Sequence, residues 1–143
     1  MPKARKSAVI CSLDAVQHAE TLKRLNAAQV GTNAKGCKLL NMAPSKENGY
    51  IQLFVAGTTS KVLAHVLSCF DEFSAIKDEW REDFDVSHLC GNPNCVKKSH
   101  LRYEHKTINQ RRKGCKATVS CPCPCGHTFN ICTCDPNPEN KCI

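Results

Sequence analysis

Cys90 and Cys95 enclose the turn-forming run GNPN, and His100 follows five residues after Cys95. This spacing restricts the chain more than any other feature. A close cysteine pair around a turn lets the backbone fold over an ion, and a later histidine adds a third ligand of the kind zinc takes. The fourth ligand must arrive from elsewhere in the chain. Cys37, at the head of an apolar run, is the first choice, and Cys69 is the alternative. A denser cluster follows in CKATVSCPCPCGHTFNICTC, where Cys115, Cys121, Cys123, Cys125, His127, Cys132 and Cys134 compete for the ligand places of a second site. Cys125, His127 and Cys132 form a compact hook that Cys115 can close.

Twelve cysteines in 143 residues mean either a disulfide framework or metal. The interleaved histidines favour metal, because disulfides do not need them and Cys-x-Cys neighbours cannot readily bridge each other. The start, MPKARKSAVICSLDAV, is basic, but Asp14 interrupts an apolar run already too short for a secretory leader. No stretch is long enough to span a membrane. The length suits one domain, and 41% apolar with 6% aromatic residues suits a modest core. The C-terminal half is too poor in apolar residues to fold without metal, so no domain boundary is expected. The single unit 1–143 divides into a basic arm (1–11), a helix and sheet region (12–86), a cysteine- and histidine-rich core (87–134) and a tail (135–143). The formal charge is +7, and two sites of three thiolates, one neutral histidine and one zinc ion would bring it to about +5. That balance still favours a phosphate backbone as partner.

The local patterns are mixed. From Ser12 to Gln29 the sequence reads as a helix capped by Ser12, with Leu13, Val16, Ala19, Leu22 and Leu25 at helical spacing. His18 on it reads as a surface or packing histidine. VGTNAKG then reads as a break. CKLLNM and YIQLFVAG read as two strands around the turn APSKENG, with Ile51, Leu53 and Val55 on one face. A second helix is expected from Ser60 to Phe70, carrying His65 and Cys69 as core or flank residues. The charged run DEFSAIKDEWRED reads as a further helical turn or two, with Trp80 as a packing anchor.

If zinc takes Cys90, Cys95, His100 and one more cysteine, His88 is left over. A neutral imidazole there can take a proton from water. Downstream, EHKTINQRRKGC reads as a short helix on which Asn109 and Arg112, three residues apart, share a face. An amide oxygen is a hard ligand that suits magnesium, which keeps several waters and takes phosphate. An arginine beside it can grip phosphate bidentately. Taken singly, His88 reads as a loop histidine or a zinc ligand, and Asn109 as a surface amide. Their joint spacing around the cysteines favours a working site.

SHLC, CGNPNC, the pair His100-Leu101, Asn109, Arg112 and Cys115, in that order, resemble the His-Cys box homing endonucleases. These are a zinc-bearing branch of the ββα-metal or His-Me finger nucleases. The likeness is strongest from Ser87 to Cys132 and weaker from Cys37 through the strands to Phe70. It implies a small α+β fold with few regular elements, an antiparallel DNA-binding sheet, a ββα-metal active site and two structural zinc sites. It implies a site-specific, homing-type endonuclease of double-stranded DNA, with 87–134 as its nuclease core. His88 would be the general base and Asn109 would hold one magnesium ion. Cleavage would leave a 5′ phosphate and a 3′ hydroxyl. Cys37, Cys90, Cys95 and His100 would hold one zinc, and Cys115, Cys125, His127 and Cys132 the other. Lys38, Lys46, Gln52 and Arg112 are the expected DNA contacts. The family and the basic arm together imply a nuclear protein, and the family a homodimer.

The pattern also departs from the family's. VKKS stands before the zinc histidine where members often carry Asn-Pro. Tyr50 aligns with a family arginine that contacts the scissile phosphate, a role that is then lost or falls to Lys46. Only eleven residues follow Cys132, short for the family's dimer-forming tail, so the homodimer is expected to use another surface or a smaller one. The alternative reading is a non-catalytic zinc module that binds nucleic acid. A metal-storage protein would leave Asn109, Arg112 and the N-terminal part unexplained.

Overall fold

The computed structural model describes residues 6–113, 118–120 and 128–130. The first expected helix forms as α1, Ala15–Ala27. Its cap is Asp14 and not Ser12. Asp14 Oδ1 accepts from the Gln17 amide at 2.8 Å, while Gln17 Oε1 accepts from the Asp14 amide at 3.1 Å, a reciprocal capping box. Ser12 instead closes a 3₁₀ helix, Lys6–Ser12, by donating to the Val9 carbonyl at 2.7 Å. The expected basic arm is therefore shorter than 1–11, because Ile10 is fully buried in the core. Thr21 and Leu25 face inward, but Val16, expected in the apolar stripe, is 72% exposed. His18 is a packing residue, its Nε2 meeting the Phe70 carbonyl at 2.8 Å.

The strands pair differently from the expected hairpin. β2 (Lys38–Leu40) joins β1 (Gln29–Thr32), and β3 (Gln52–Phe54) joins β4 (Lys61–Leu63), each pair antiparallel. Local chemistry explains both. Asn33 Oδ1 accepts from the amides of Lys35 and Cys37 at 3.0 Å, and Gly36 takes φ +76°, so VGTNAKG makes a tight turn rather than a break. Val62 stands opposite Leu53 in register, its branched Cβ suiting the extended strand. The second helix, α2 (Ala64–Cys69), consequently begins only at Ala64. The expected DNA-binding sheet is thus split into two hairpins, with Lys38 and Gln52 on different ones and Lys46 exposed in the loop between them. The alternation of β3 holds: Ile51, Leu53 and Val55 are buried and Phe54 is exposed.

The charged run yields α3 (Phe73–Glu79). Trp80 anchors as expected, stacked on Tyr103 with ring centroids 5.8 Å apart. β5 (Phe84–His88) and β6 (Leu101–His105) then form an antiparallel pair from Phe84↔His105 to His88↔Leu101, and α4 (Lys106–Lys113) follows directly. This strand–strand–helix unit is the ββα arrangement the sequence led one to expect. β7 (Thr118–Ser120) and β8 (Thr128–Asn130) pair antiparallel. One apolar core, centred on Leu25, Val55, Val62, Val66, Leu67 and Ile76, joins the N-terminal elements to β5 and β6. A separate small cluster holds Cys37, Cys90 and Cys95 against Leu39. No helix among the described residues is long and apolar enough to cross a membrane.

Candidate functional site

The β1–β2 hairpin, the loop after β5 and the 3₁₀ turn Lys98–His100 converge on one point. Cys37 ends the first turn, its amide held by Asn33. Gly91, at φ +72°, lets the chain fold back so that its amide reaches the His88 carbonyl at 3.1 Å. The Cys95 amide then reaches the Asn92 carbonyl at 3.1 Å, and the Leu89 amide the His100 carbonyl at 2.8 Å. On the outer side, the Val96 amide donates to the Lys38 carbonyl at 3.0 Å and Lys98 pairs with Asp71 at 2.6 Å. These bonds bring Cys37, Cys90, Cys95 and His100, all buried, within 4.8 Å of one another at their ligand atoms.

The geometry fits zinc. Zn–S and Zn–N bonds of ordinary length at a tetrahedral angle put sulfur and nitrogen about 3.6 Å apart. Cys37 Sγ and Cys95 Sγ each lie 3.6 Å from His100 Nδ1. The donor set also calls for a cation. Burial, reinforced by the neighbouring thiols, pushes Cys95 up to about 12 and raises Cys90. Three buried thiols this close cannot ionise together without a compensating positive charge. Burial, with Lys97 adding to it, lowers His100, which favours the neutral ligating imidazole. Cys69, the alternative fourth ligand, lies outside the cluster at the end of α2, where burial raises its thiol to about 11.

Beside this cluster lies a cleft of about 500 Å³, lined by Asn48, Tyr50, His88, Asn109, Arg112 and Lys113, with Gly91 and Pro93 from the zinc-type loop. The structure thus brings His88, at the end of β5, and Asn109, on α4, into one cavity. The His88 ring packs against Tyr50, stacked at 5.9 Å, and against His65 at 4.5 Å. Its Nε2 is buried without a hydrogen-bond partner. A Cys95 backbone group bonds the ring in the sense that favours its charged form. A carbonyl accepting from Nδ1–H does so, and this tautomer leaves the lone pair on Nε2. Burial outweighs that bond, Lys113 adds to it, and His88 is lowered to about 4, neutral at physiological pH.

Asn109 is 7% exposed and is the hard oxygen that α4 brings to the cleft, whose lining among the described residues holds no carboxylate. That donor set fits a magnesium ion taking most of its shell from water and phosphate. Arg112 departs from its expected role as a free phosphate grip. Its Nε and Nη2 both bond the carboxylate of Glu104, the latter at 2.9 Å, and the two side chains are 2% and 5% exposed. Lys38, Lys46 and Gln52 do not line the cleft. The second expected zinc set, Cys115, Cys125, His127 and Cys132, lies outside the described residues.

Sequence reasoning missed Lys113 and Glu104, and it gave Tyr50 only as the residue aligned with a family arginine. Lys113 carried a signal: it follows Asn109 by four residues and so shares the face already assigned to Asn109 and Arg112. The packing of Tyr50 on His88 and the pairing of Glu104 with Arg112 carried none, because they arise only through tertiary contact. Residues 36–143 match the family model described as the zinc-binding loop region of homing endonuclease. Nothing among curated proteins and nothing among solved structures matches the chain.

Proposed function

The chain belongs to the family of the zinc-binding loop region of homing endonucleases, and from that premise we propose that it is a site-specific endonuclease of double-stranded DNA. One observation carries the reading: a neutral histidine and a hard amide oxygen line the same cleft, next to a Cys3His cluster of zinc geometry. In this reading Cys37, Cys90, Cys95 and His100 hold a structural zinc that does no chemistry. They fix the end of β5, where His88 stands, and the loop that carries Gly91. Cys115, Cys125, His127 and Cys132 would hold a second.

His88 acts as general base. Its Nε2 takes a proton from water, the water oxygen bonds to phosphorus, and the bond from phosphorus to O3′ breaks. The leaving O3′ takes a proton from solvent, giving a 3′ hydroxyl and a 5′ phosphate. Asn109 would hold magnesium, which when bound supplies charge stabilisation to the scissile phosphate and the leaving oxygen. Tyr50 and His65 restrict the His88 ring so that Nε2 keeps one direction. The family setting adds a nuclear location and a homodimer to the proposal. Lys38, Lys46 and Gln52 then serve as DNA contacts outside the cleft, from separate elements rather than one sheet.

One feature favours the alternative, a zinc module that binds nucleic acid without cutting it. His88 Nε2 is shielded from solvent while Tyr50 and His65 pack beside it. The test is end-sequencing of a randomised duplex library incubated with protein and magnesium, with His88→Ala alongside. Discrete cuts by the wild type alone support the nuclease and its base. Retained binding and zinc with no cuts would select the alternative.

A further inference from the structure

Phosphodiester hydrolysis gathers negative charge on the non-bridging oxygens, and a fixed side-chain cation in the cleft is the usual protein answer. Among the described residues, the cleft has two cations in its lining, Arg112 and Lys113. Arg112 is committed, because Glu104 occupies its guanidinium fork in a buried pair. Lys113 is placed differently. It stands at the exposed end of α4, one turn beyond Asn109, and no carboxylate among the described residues pairs with it. Its Nζ lies 5.9 Å from the Tyr50 ring centroid, over the ring that itself stacks on His88. Burial and His88 depress His65, and the charge of Lys113 adds to that effect, so the ammonium's field reaches the ring packed against His88. Lys46, the residue expected from sequence to take such a contact, is exposed on the loop before Tyr50 and does not line the cleft.

We propose that Lys113 is the phosphate-gripping residue of this cleft, donating to a non-bridging oxygen of the phosphodiester placed between His88 and Asn109. Its effect on rate rests on the nuclease reading, whereas its effect on affinity needs only nucleic-acid binding. The aromatic face of Tyr50 holds the ammonium beside the cleft. The lysine is a point charge on a flexible stem, so it follows the phosphate as the duplex seats.

The experiment compares wild type, Lys113→Gln, Lys113→Arg and Lys46→Gln. The probe is a short duplex carrying the site cut by the wild type, or a random duplex if the wild type cuts nothing. Two quantities are read: the salt dependence of binding, and the single-turnover cleavage rate with magnesium. Lys113→Gln should lower the logarithmic salt slope by about 0.9, the value of one phosphate contact. It should also slow cleavage by about 100-fold. Lys113→Arg should restore most of both, and Lys46→Gln, at a contact outside the cleft, should slow cleavage far less than Lys113→Gln. An unchanged slope with Lys113→Gln overturns the proposal. So does a lowered slope with an unchanged rate, which would put the lysine on a flanking phosphate, and so does a rate loss that falls on Lys46→Gln instead. A wild type that binds without cutting removes the nuclease reading, and the slope then decides the Lys113 contact alone.

Discussion

Replacing Glu104 by alanine tests the physical account of α4 most directly. The Glu104 and Arg112 side chains are 5% and 2% exposed, joined by two hydrogen bonds, with Arg102 3.8 Å from the carboxylate at the rim. Removing one member of a buried pair leaves the other charge unpaired in a poorly solvated place, at a cost of about 3–5 kcal/mol. The half-exposed Arg102 contact adds little to this, since exposed pairs contribute about 0–1 kcal/mol. A domain of this size holds about 5–15 kcal/mol in total, so Glu104→Ala should remove about a fifth or more of it. The double replacement Glu104→Leu with Arg112→Met should cost less than Glu104→Ala alone, because it removes the buried charge together with its partner. Urea unfolding at fixed free zinc reads both, using the fluorescence of Trp80, the chain's one tryptophan, which stacks on the neighbouring Tyr103. With a urea slope of about 2 kcal/mol per molar, the single variant's midpoint should drop by about 2 M. A loss under about 1 kcal/mol, or a double variant worse than the single, would refute the buried-pair argument.

His88→Ala should lower the cleavage rate by about 10²–10⁴ while zinc content and DNA affinity stay at wild-type values; loss of zinc would remove the base assignment. Cys95→Ser should release the zinc of the Cys3His cluster to a chelator and open the loop between β5 and β6, read by metal content and by hydrogen exchange at Leu89 and His100. Zinc must displace protons from thiols that burial holds high, Cys95 near 12 among them, so loading should weaken steadily as pH falls and should release protons on binding. His88 lies near 4 in the folded chain and near its ordinary value of 6.5 when unfolded. The unfolded chain therefore binds the extra proton between those values. Its contribution to stability is complete above about pH 6.5 and is lost as pH falls towards 4. Chemical denaturation across that window should show a smaller acid loss for His88→Phe than for wild type, and equal losses would contradict the burial of the imidazole.

Much of the site could be read from the residues because its chemistry is local. GNPN is a turn whatever surrounds it, so Cys90 and Cys95 had to approach each other, and His100 was within reach on the same loop. The spacing of Asn109 from that loop placed it on the helix after β6, opposite His88. The capping residue was missed by two positions, because Ser12 and Asp14 are both good caps and only the burial of Ile10 pulled the preceding turn inward. The strand partners were missed because pairing depends on which turn closes first in space. Asn33 with Gly36, and the extended Val62, each captured a strand that hydrophobic pattern alone had assigned elsewhere.

The sequence by itself determined the ligand types, the turn that pairs Cys90 with Cys95 and the short helix that carries Asn109, since each follows from short-range spacing and donor chemistry, while the order of strand, strand and helix came from the family likeness. Tertiary structure alone decided that Cys37 rather than Cys69 completes the cluster. It also set Glu104 on Arg112 and the rings of Tyr50 and His65 around His88. Those meetings join residues that lie on separate elements. They come about only when burial of the apolar core fixes the hairpins and helices against one another, so no local pattern in the chain announces them.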